Sequence, residues 1–388
     1  MSVRRYYFDH NSTTPVAGEV LEAMLPYLGQ ACGNASSIHS FGQDAKAGLE
    51  QARRQVAALL HAKPVEIVFT SGGTEASNLA ILGTLRAAAG SRKHVVTTTI
   101  EHPAVLNTCR QLEHEGVGVT YVSVGPSGVV PADDVRAALR PETVLISVMH
   151  ANNELGTIQP VAEIAEIARE AKVLFHSDGV QSCGKLPVDV RQLGVDLFSI
   201  SGHKIYAPKG VGALFVRKGV KLAPIQYGGH HERDRRPGTE NVPGIVGLGR
   251  AAALARESLS AEAARLAALR DRFEEQVLEQ VDHAVVNARQ APRVPNTANI
   301  RFDYVEGEAL VIALDLKGMA VSSGAACSSG SVEPSHVLTA IGLSREQARS
   351  CLRFSFGKDN TEEDVAALAS AIPKVVRHLR RLSPAYAG

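Results

Sequence analysis

The chain has 388 residues, enough to bury a large core, and is 45% hydrophobic and 21% charged. Its 41 basic and 40 acidic residues leave a formal charge of +1, which excludes a general electrostatic hold on nucleic acid or an anionic membrane. No stretch nears the ~20 apolar residues of a membrane helix, Met1–His10 lacks the apolar core of a secretory signal, and the five cysteines, at 32, 109, 183, 327 and 351, lack the CxxC spacing of a structural zinc site or a disulfide framework. A cytoplasmic protein with reduced thiols is expected.

In chain order, apolar spacing predicts helices over 17–28 and 43–60, separated by turn formers at Gly33-Asn34-Ala35-Ser36-Ser37. A strand over 66–70 runs into Ser71-Gly72-Gly73-Thr74-Glu75 and then a helix over 76–88. Such a turn offers free backbone N–H groups and a positive helix end to a phosphate, although Gly-Gly-Thr alone is an ordinary turn and cap. Strands at 93–99, 118–124, 144–150 and 173–176 alternate with helices at 105–115, 132–139 and 161–170, which predicts an α/β fold with a mainly parallel sheet covered on both faces. Polar residues follow the strands: Glu101-His102, Asn152-Asn153-Glu154, and Ser177-Asp178. They mark one edge of the sheet as the site.

The run 196–200 is another strand, and Ser201-Gly202-His203-Lys204 turns it back into a second one at 211–216, leaving Lys204 at the same edge. The charged excursion 226–241 has no periodicity; its arginines read as a solvated or intersubunit loop and are too few for a nucleic-acid surface. A nearly continuous helix over 245–281 is expected to break at Ser258-Leu259-Ser260. The division expected there gives a large domain of residues 12–257 and a smaller α+β domain of 1–11 with 258–388. The smaller part carries strands at 296–303 and 352–356, a helix at 308–316 and a closing helix at 362–382 interrupted by Pro373. There is no internal repeat.

Asp178, Lys204, Cys327 and Arg353 are the candidates to carry chemistry. A buried Asp178 needs a positive partner, and its plainer role is a cap or a salt bridge. Beside Lys204 it could instead keep a pyridine nitrogen protonated while Lys204 anchors pyridoxal phosphate covalently, with Gly73, Thr74, Ser201 and His203 on the phosphate and His102 stacked on the ring. Cys327 lies in a Ser/Gly/Ala run with nothing to pack against, so it is either an incidental loop thiol or one that reaches a substrate. Arg353 alternates away from Leu352, Phe354 and Phe356, as a surface charge or as a grip on an α-carboxylate. The histidines show no ligand spacing, so no dedicated metal site is expected.

Taken together, Tyr7-Phe8-Asp9-His10-Asn11, Thr70-Ser71-Gly72-Gly73-Thr74-Glu75, Glu101-His102, Asn152-Asn153-Glu154-Leu155-Gly156, Ser201-Gly202-His203-Lys204, Arg236-Pro237-Gly238-Thr239-Glu240-Asn241 and the long cysteine loop ending in Glu333-Pro334-Ser335-His336 resemble the cysteine desulfurases of the class V aminotransferases. The resemblance covers essentially the whole chain. It implies PLP fold type I with a seven-stranded-type sheet, pyridoxal 5'-phosphate as cofactor, and conversion of L-cysteine to L-alanine. The sulfur would be captured as a persulfide on Cys327 and passed to an acceptor or iron-sulfur scaffold protein, with Cys327 able to ligate a cluster transiently. By the same resemblance Lys204 binds the cofactor and moves the Cα proton, Asp178 meets its ring nitrogen, and Gln181 and Asn153 flank its phenolic oxygen. His102 assists catalysis, Arg353, Asn153 and Asn34 hold the substrate, and Thr239 reaches the phosphate of the other subunit in a homodimer. Ala35 and Ala325 depart from the family's usual proline and serine. Two rivals stand beside this reading: a related PLP lyase preferring selenocysteine, and a catalytically silent binding protein that keeps the fold.

Overall fold

The computed structural model describes residues 4–90, 93–323, 333–382 and 386. The chain opens with β1 (Tyr6–Tyr7), α1 (Gly18–Met24) and α2 (Ser40–Leu59). Alternation follows: β2 (Ile67–Thr70), α3 (Gly73–Ala87), β3 (His94–Thr98), α4 (Pro103–His114), β4 (Gly118–Val122), α5 (Ala132–Ala137), β5 (Thr143–Ser147), α6 (Val161–Ala171) and β6 (Leu174–Asp178). The hairpin β7 (Leu197–Ser201) and β8 (Gly212–Val216) leads through the excursion to α7 (Val242–Gln280). The remainder is β9 (Ala284–Val286), β10 (Thr297–Phe302), α8 (Gly307–Asp315), β11 (Met319–Ala320), α9 (His336–Ala340), α10 (Arg345–Arg349), β12 (Cys351–Ser355) and α11 (Glu362–Leu382).

Seven strands form one sheet in the order β2-β8-β7-β6-β5-β3-β4. The five from β7 to β4 are parallel, and β8 is antiparallel to both β7 and β2. Two reversals cancel, so β2 points the same way as the parallel set and its glycine turn lies at their carboxyl edge. The chain runs outward from β3 to β4 and returns to β5 on the other side of β3, the kind of crevice where open α/β sheets bind ligands. Strands such as β3, β7 and β8 are buried at every position, as expected of a sheet covered on both faces.

A second sheet, β12-β10-β9, is antiparallel, and β1 pairs in parallel with β11 beside it. Phe8, Phe273, Phe302, Phe354 and Phe356 form its core with one face of α11. Phe273 meets Phe354 edge-on with ring centroids 4.8 Å apart.

Two expectations are corrected. The helix expected to break at Ser258-Leu259-Ser260 is continuous over 39 residues, because Ser258 Oγ donates back to Leu254 O at 3.0 Å and so stays within the helical pattern. Pro373 lies inside α11 without ending it, because Leu368, Ile372 and Val376 on either side are held in the same core. The short elements β1, β9, β11, α9 and α10 are too brief to carry a periodic signal.

Candidate active site

Every polar strand end reaches the same edge. After β7, Lys204 Nζ donates to the carbonyl oxygens of Asn11 and Ser12, each at 2.6 Å. Asp178 ends β6 and is 6% exposed; its Oδ1 accepts from Val180 N at 2.9 Å. Burial raises the Asp178 pKa to about 6, while the Val180 N–H and the charge of Lys204 act the other way. An approaching cation would therefore return Asp178 to its charged form.

His102 caps α4, its Nδ1 accepting from Ala104 N at 3.0 Å, which places the neutral ring's proton on Nε2. The residue keeps an exposed edge, yet burial of the rest of the ring, then the charges of Lys204 and His336, lowers its pKa to about 4. His203 sits beside Thr13, Nδ1 to Oγ1 at 3.1 Å, and burial, then Lys204 and Lys209, likewise lower it to about 4. Both imidazoles are neutral near pH 7.

The glycine turn comes close to this cluster. A Cβ on Gly73 would lie 2.7 Å from Val180 Cγ2 and 3.4 Å from Ser201 Cβ, so only glycine lets the start of α3 approach the ends of β6 and β7. Thr74, one residue on, shares with His102 the wall of an open groove of about 640 Å³ along α3 and α4.

Arg353 is 1% exposed, so both faces of β12 are buried. Its Nη2 donates to Asp9 Oδ1 and Ser12 Oγ, both at 2.7 Å, and its Nη1 to Asn153 O at 3.1 Å. Arg353 and Asn153 thus meet beside Lys204. Gln181 joins them: its Nε2 donates to Asn11 O at 2.9 Å. Asn34 and Thr239 lie on exposed loops, Asn34 with its Oδ1 taken up by Ser36 N. Cys327 lies outside the described residues. The stems of its segment do not: Ser322 and Arg353 exchange backbone hydrogen bonds, Ser335 Oγ donates to Glu154 Oε2 at 2.6 Å, and His336 Nε2 bonds Glu101 O at 2.9 Å.

The excursion 226–241 is less solvated than its charge suggests. Glu232 is buried, accepts from both Arg53 terminal nitrogens at 2.7 and 2.9 Å and from Phe69 N, and heads three successive left-handed residues, Glu232, Arg233 and Asp234. Arg236 pairs with Glu75 of α3 at 2.8 Å. The loop carrying Thr239 is therefore pinned to α2, β2 and α3.

Four site residues escaped the sequence reading of single positions. Asn11, 1% exposed, bonds Lys204, Gln181, Asn153 and buried Lys185. Glu101 and Glu154 are buried carboxyls whose pKa values burial pushes up to about 8 and about 7. The available signal was position: Asn11 ends Tyr7-Phe8-Asp9-His10-Asn11, Lys185 follows Asp178 on the same strand exit, and each glutamate sits in a polar strand end.

The family model for class-V aminotransferases matches residues 6–368. A protein named cysteine desulfurase IscS from Dictyoglomus turgidum is 47% identical over 381 residues, 98% of this chain and 97% of that protein. A cysteine desulfurase from Gluconacetobacter diazotrophicus is 49% identical over 384 residues, 98% of this chain and 96% of its own. Among solved structures, a NifS-like protein superposes with a TM-score of 0.91 at 38% identity, covering 97% of this chain and all of its own. SspA in complex with cysteine superposes with a TM-score of 0.81 at 40% identity, covering 91% of this chain and 99% of its own. The chain belongs to the class-V aminotransferase family and, within it, to the cysteine desulfurases.

Proposed function

We propose that the protein uses pyridoxal 5'-phosphate to convert L-cysteine to L-alanine and hands the sulfur, through a persulfide on Cys327, to an acceptor protein that builds iron-sulfur clusters or other thio-cofactors. The observation that carries this reading is the meeting of Lys204, Asp178 and His102 at one sheet edge with both stems of the Cys327 segment against it.

The donor set fits that cofactor. Asp178 is a buried carboxyl that a ring-nitrogen cation would hold ionised, Lys204 is an amine beside it, and Gly73 lets the N-terminal end of α3 come up against Ser201 at the same edge. In this reading Gly73, Thr74, Ser201 and His203 take the phosphate, Asn153 and Gln181 the phenolic oxygen, and His102 the ring face. When bound, the group supplies an electron sink that weakens the bonds at the substrate's Cα.

The protein's own residues do the rest. Arg353 and Asn153 hold the substrate carboxylate, with Asn34 closing on it, and Lys204 Nζ takes the Cα proton. Arg353 is already engaged by Asp9 and Ser12, so the substrate carboxylate shares an oriented guanidinium. The Cys327 thiolate attacks the substrate sulfur. The new S–S bond forms as the Cβ–S bond breaks, the electron pair stays with the carbon fragment, and protons delivered through His102 and Lys204 complete alanine. A thiol of ordinary pKa ~8.5 is mostly protonated at neutral pH, so the site must assist its ionisation.

A homodimer completes the site, with Thr239 offered to the phosphate of the neighbouring subunit. The pinned 226–241 loop supports this, as do exposed Leu21, Leu25, Leu28, Ile38, Phe41 and Tyr227, apolar side chains suited to a second copy. Thiols that are all free among the described residues suit a reducing, cytoplasmic setting.

The test is release of sulfide and alanine from L-cysteine by wild type, Lys204→Ala and Cys327→Ala, with the cofactor spectrum recorded for each. Both variants should lose activity by about a hundredfold or more, with Cys327→Ala keeping the cofactor's colour. Equal activity in all three contradicts the proposal.

A further inference from the structure

A buried lysine that the proposed reaction does not use stands behind Lys204. Lys185 is 9% exposed, and its Nζ donates to Gln181 Oε1 at 2.6 Å and Asn11 Oδ1 at 2.9 Å, both neutral amides. The charges acting on it most strongly are positive, those of Lys204 and Arg353, and Cys183 beside it is buried with its thiol pKa pushed up to about 12. Burying an ammonium without an anionic partner opposes folding. A hydrophobic residue would fill this place more cheaply, so the lysine needs a reason beyond packing.

The hydrogen bonds supply one. Asn11 is saturated: Oδ1 accepts from Lys185 and from Asn296 Nδ2, Nδ2 donates to Thr297 Oγ1 and Asn153 O, and its backbone oxygen accepts from Gln181 and Lys204. With Lys185 on Oε1, the Gln181 amide has one orientation. Its nitrogen gives one hydrogen to Asn11 O and leaves the second for another acceptor. A cavity of about 90 Å³ lies on this side of Lys204, lined among others by Lys185, His10, Tyr206, Glu262 and Lys358.

We propose that Lys185 is a positioning residue that orients the Gln181 amide as a donor to the cofactor's phenolic oxygen. This rests on the pyridoxal phosphate reading of the site. Burial, followed by the charges of Lys204 and Arg353, holds Lys185 well below the usual lysine range, so it acts on the site through its hydrogen bonds rather than through a fixed charge. His10, Tyr206, Glu262 and Lys358 around the same cavity, Cys183 and Arg353 near Lys185, and Asp178, His102 and His203 near Lys204 are the other titratable or charged groups that face this pair among the described residues.

The experiment titrates the cofactor's visible band against pH in wild type, Lys185→Met and Lys185→Gln, each loaded with pyridoxal phosphate, with thermal unfolding checked. Loss of the oriented amide donor leaves more negative charge on the phenolic oxygen, so the nitrogen of Lys204 should keep its proton to higher pH. The midpoint is expected to rise by about half a unit or more, with kcat for L-cysteine falling about tenfold and KM staying within about threefold. A midpoint equal to wild type in a folded, coloured variant overturns the proposal. Failure of both variants to fold also overturns it, because Lys185 would then serve only the packing of the junction. A wild-type protein without any visible band would instead sink the cofactor reading on which the proposal stands.

Discussion

Glu101, Glu154 and Asp178 are held above their ordinary pKa values by burial, at about 8, 7 and 6, so the folded protein binds their protons more tightly than the unfolded chain does. Their contribution to stability is fully present below the unfolded values and is lost as pH rises through the folded ones. The buried imidazoles act oppositely. Burial lowers His150 to about 4 and His176 to about 3, so their contribution is present above 6.5 and is lost as pH falls toward those values. Glu101 offers the cleanest measurement. Its Oε1 accepts from Thr98 Oγ1 and Met149 N, which a glutamine oxygen can keep, whereas Oε2 has no hydrogen-bond partner among the described residues. Glu101→Gln should melt near wild type at about pH 5 and several degrees above it at about pH 9, because only the wild type must bury a charge there. Parallel melting curves across that range would contradict the assignment.

At the scale of elements, the approach of α3 to β6 and β7 depends on the missing side chain at Gly73. Gly73→Ala forces a methyl to within 2.7 Å of Val180 Cγ2. Overpacking of this kind costs about 1–3 kcal/mol, which should appear as roughly tenfold or greater weakening of pyridoxal phosphate retention in equilibrium dialysis. Unchanged retention would remove α3 from the proposed phosphate site. This arrangement was legible in the chain because strand, glycine turn and helix each have a local signal, as do the Asp178 and Lys204 strand ends. Less legible was anything made by elements distant in sequence. Asn11 bonds residues near 153, 181, 185, 204 and 296, and no pattern around position 11 announces those contacts. The same holds for Arg353, whose alternation in β12 is visible but whose burial follows from Asp9, Ser12 and Asn153 folding over it. Ser258 misled because a serine pair reads as a break, whereas inside a long helix its hydroxyl can bond the preceding turn.

Across the whole molecule, the first half of α7 packs into the core beneath the seven-stranded sheet, through Ile245, Leu248 and Ala252, and the second half into the phenylalanine core, through Leu269, Phe273 and Val277. We propose a large domain of residues 12–257 and a small one of 1–11 with 258–388, joined by α7, with Val337, Leu338, Ile341, Ala348 and Cys351 of the small part packing onto the first core. Lys204 then belongs to one and Arg353 to the other, and Asn11 stands where they meet, so the site forms only when both are folded. In the proposed chemistry, Cys327 of the small part takes sulfur from a substrate activated in the large part. The most direct test is mass spectrometry of the Cys327 peptide after brief mixing of the pyridoxal-phosphate-loaded protein with L-cysteine. One additional sulfur on Cys327 is expected in wild type and none in Lys204→Ala. An unmodified Cys327 in a wild-type sample that is producing alanine, or the same sulfur addition in Lys204→Ala, would contradict the account.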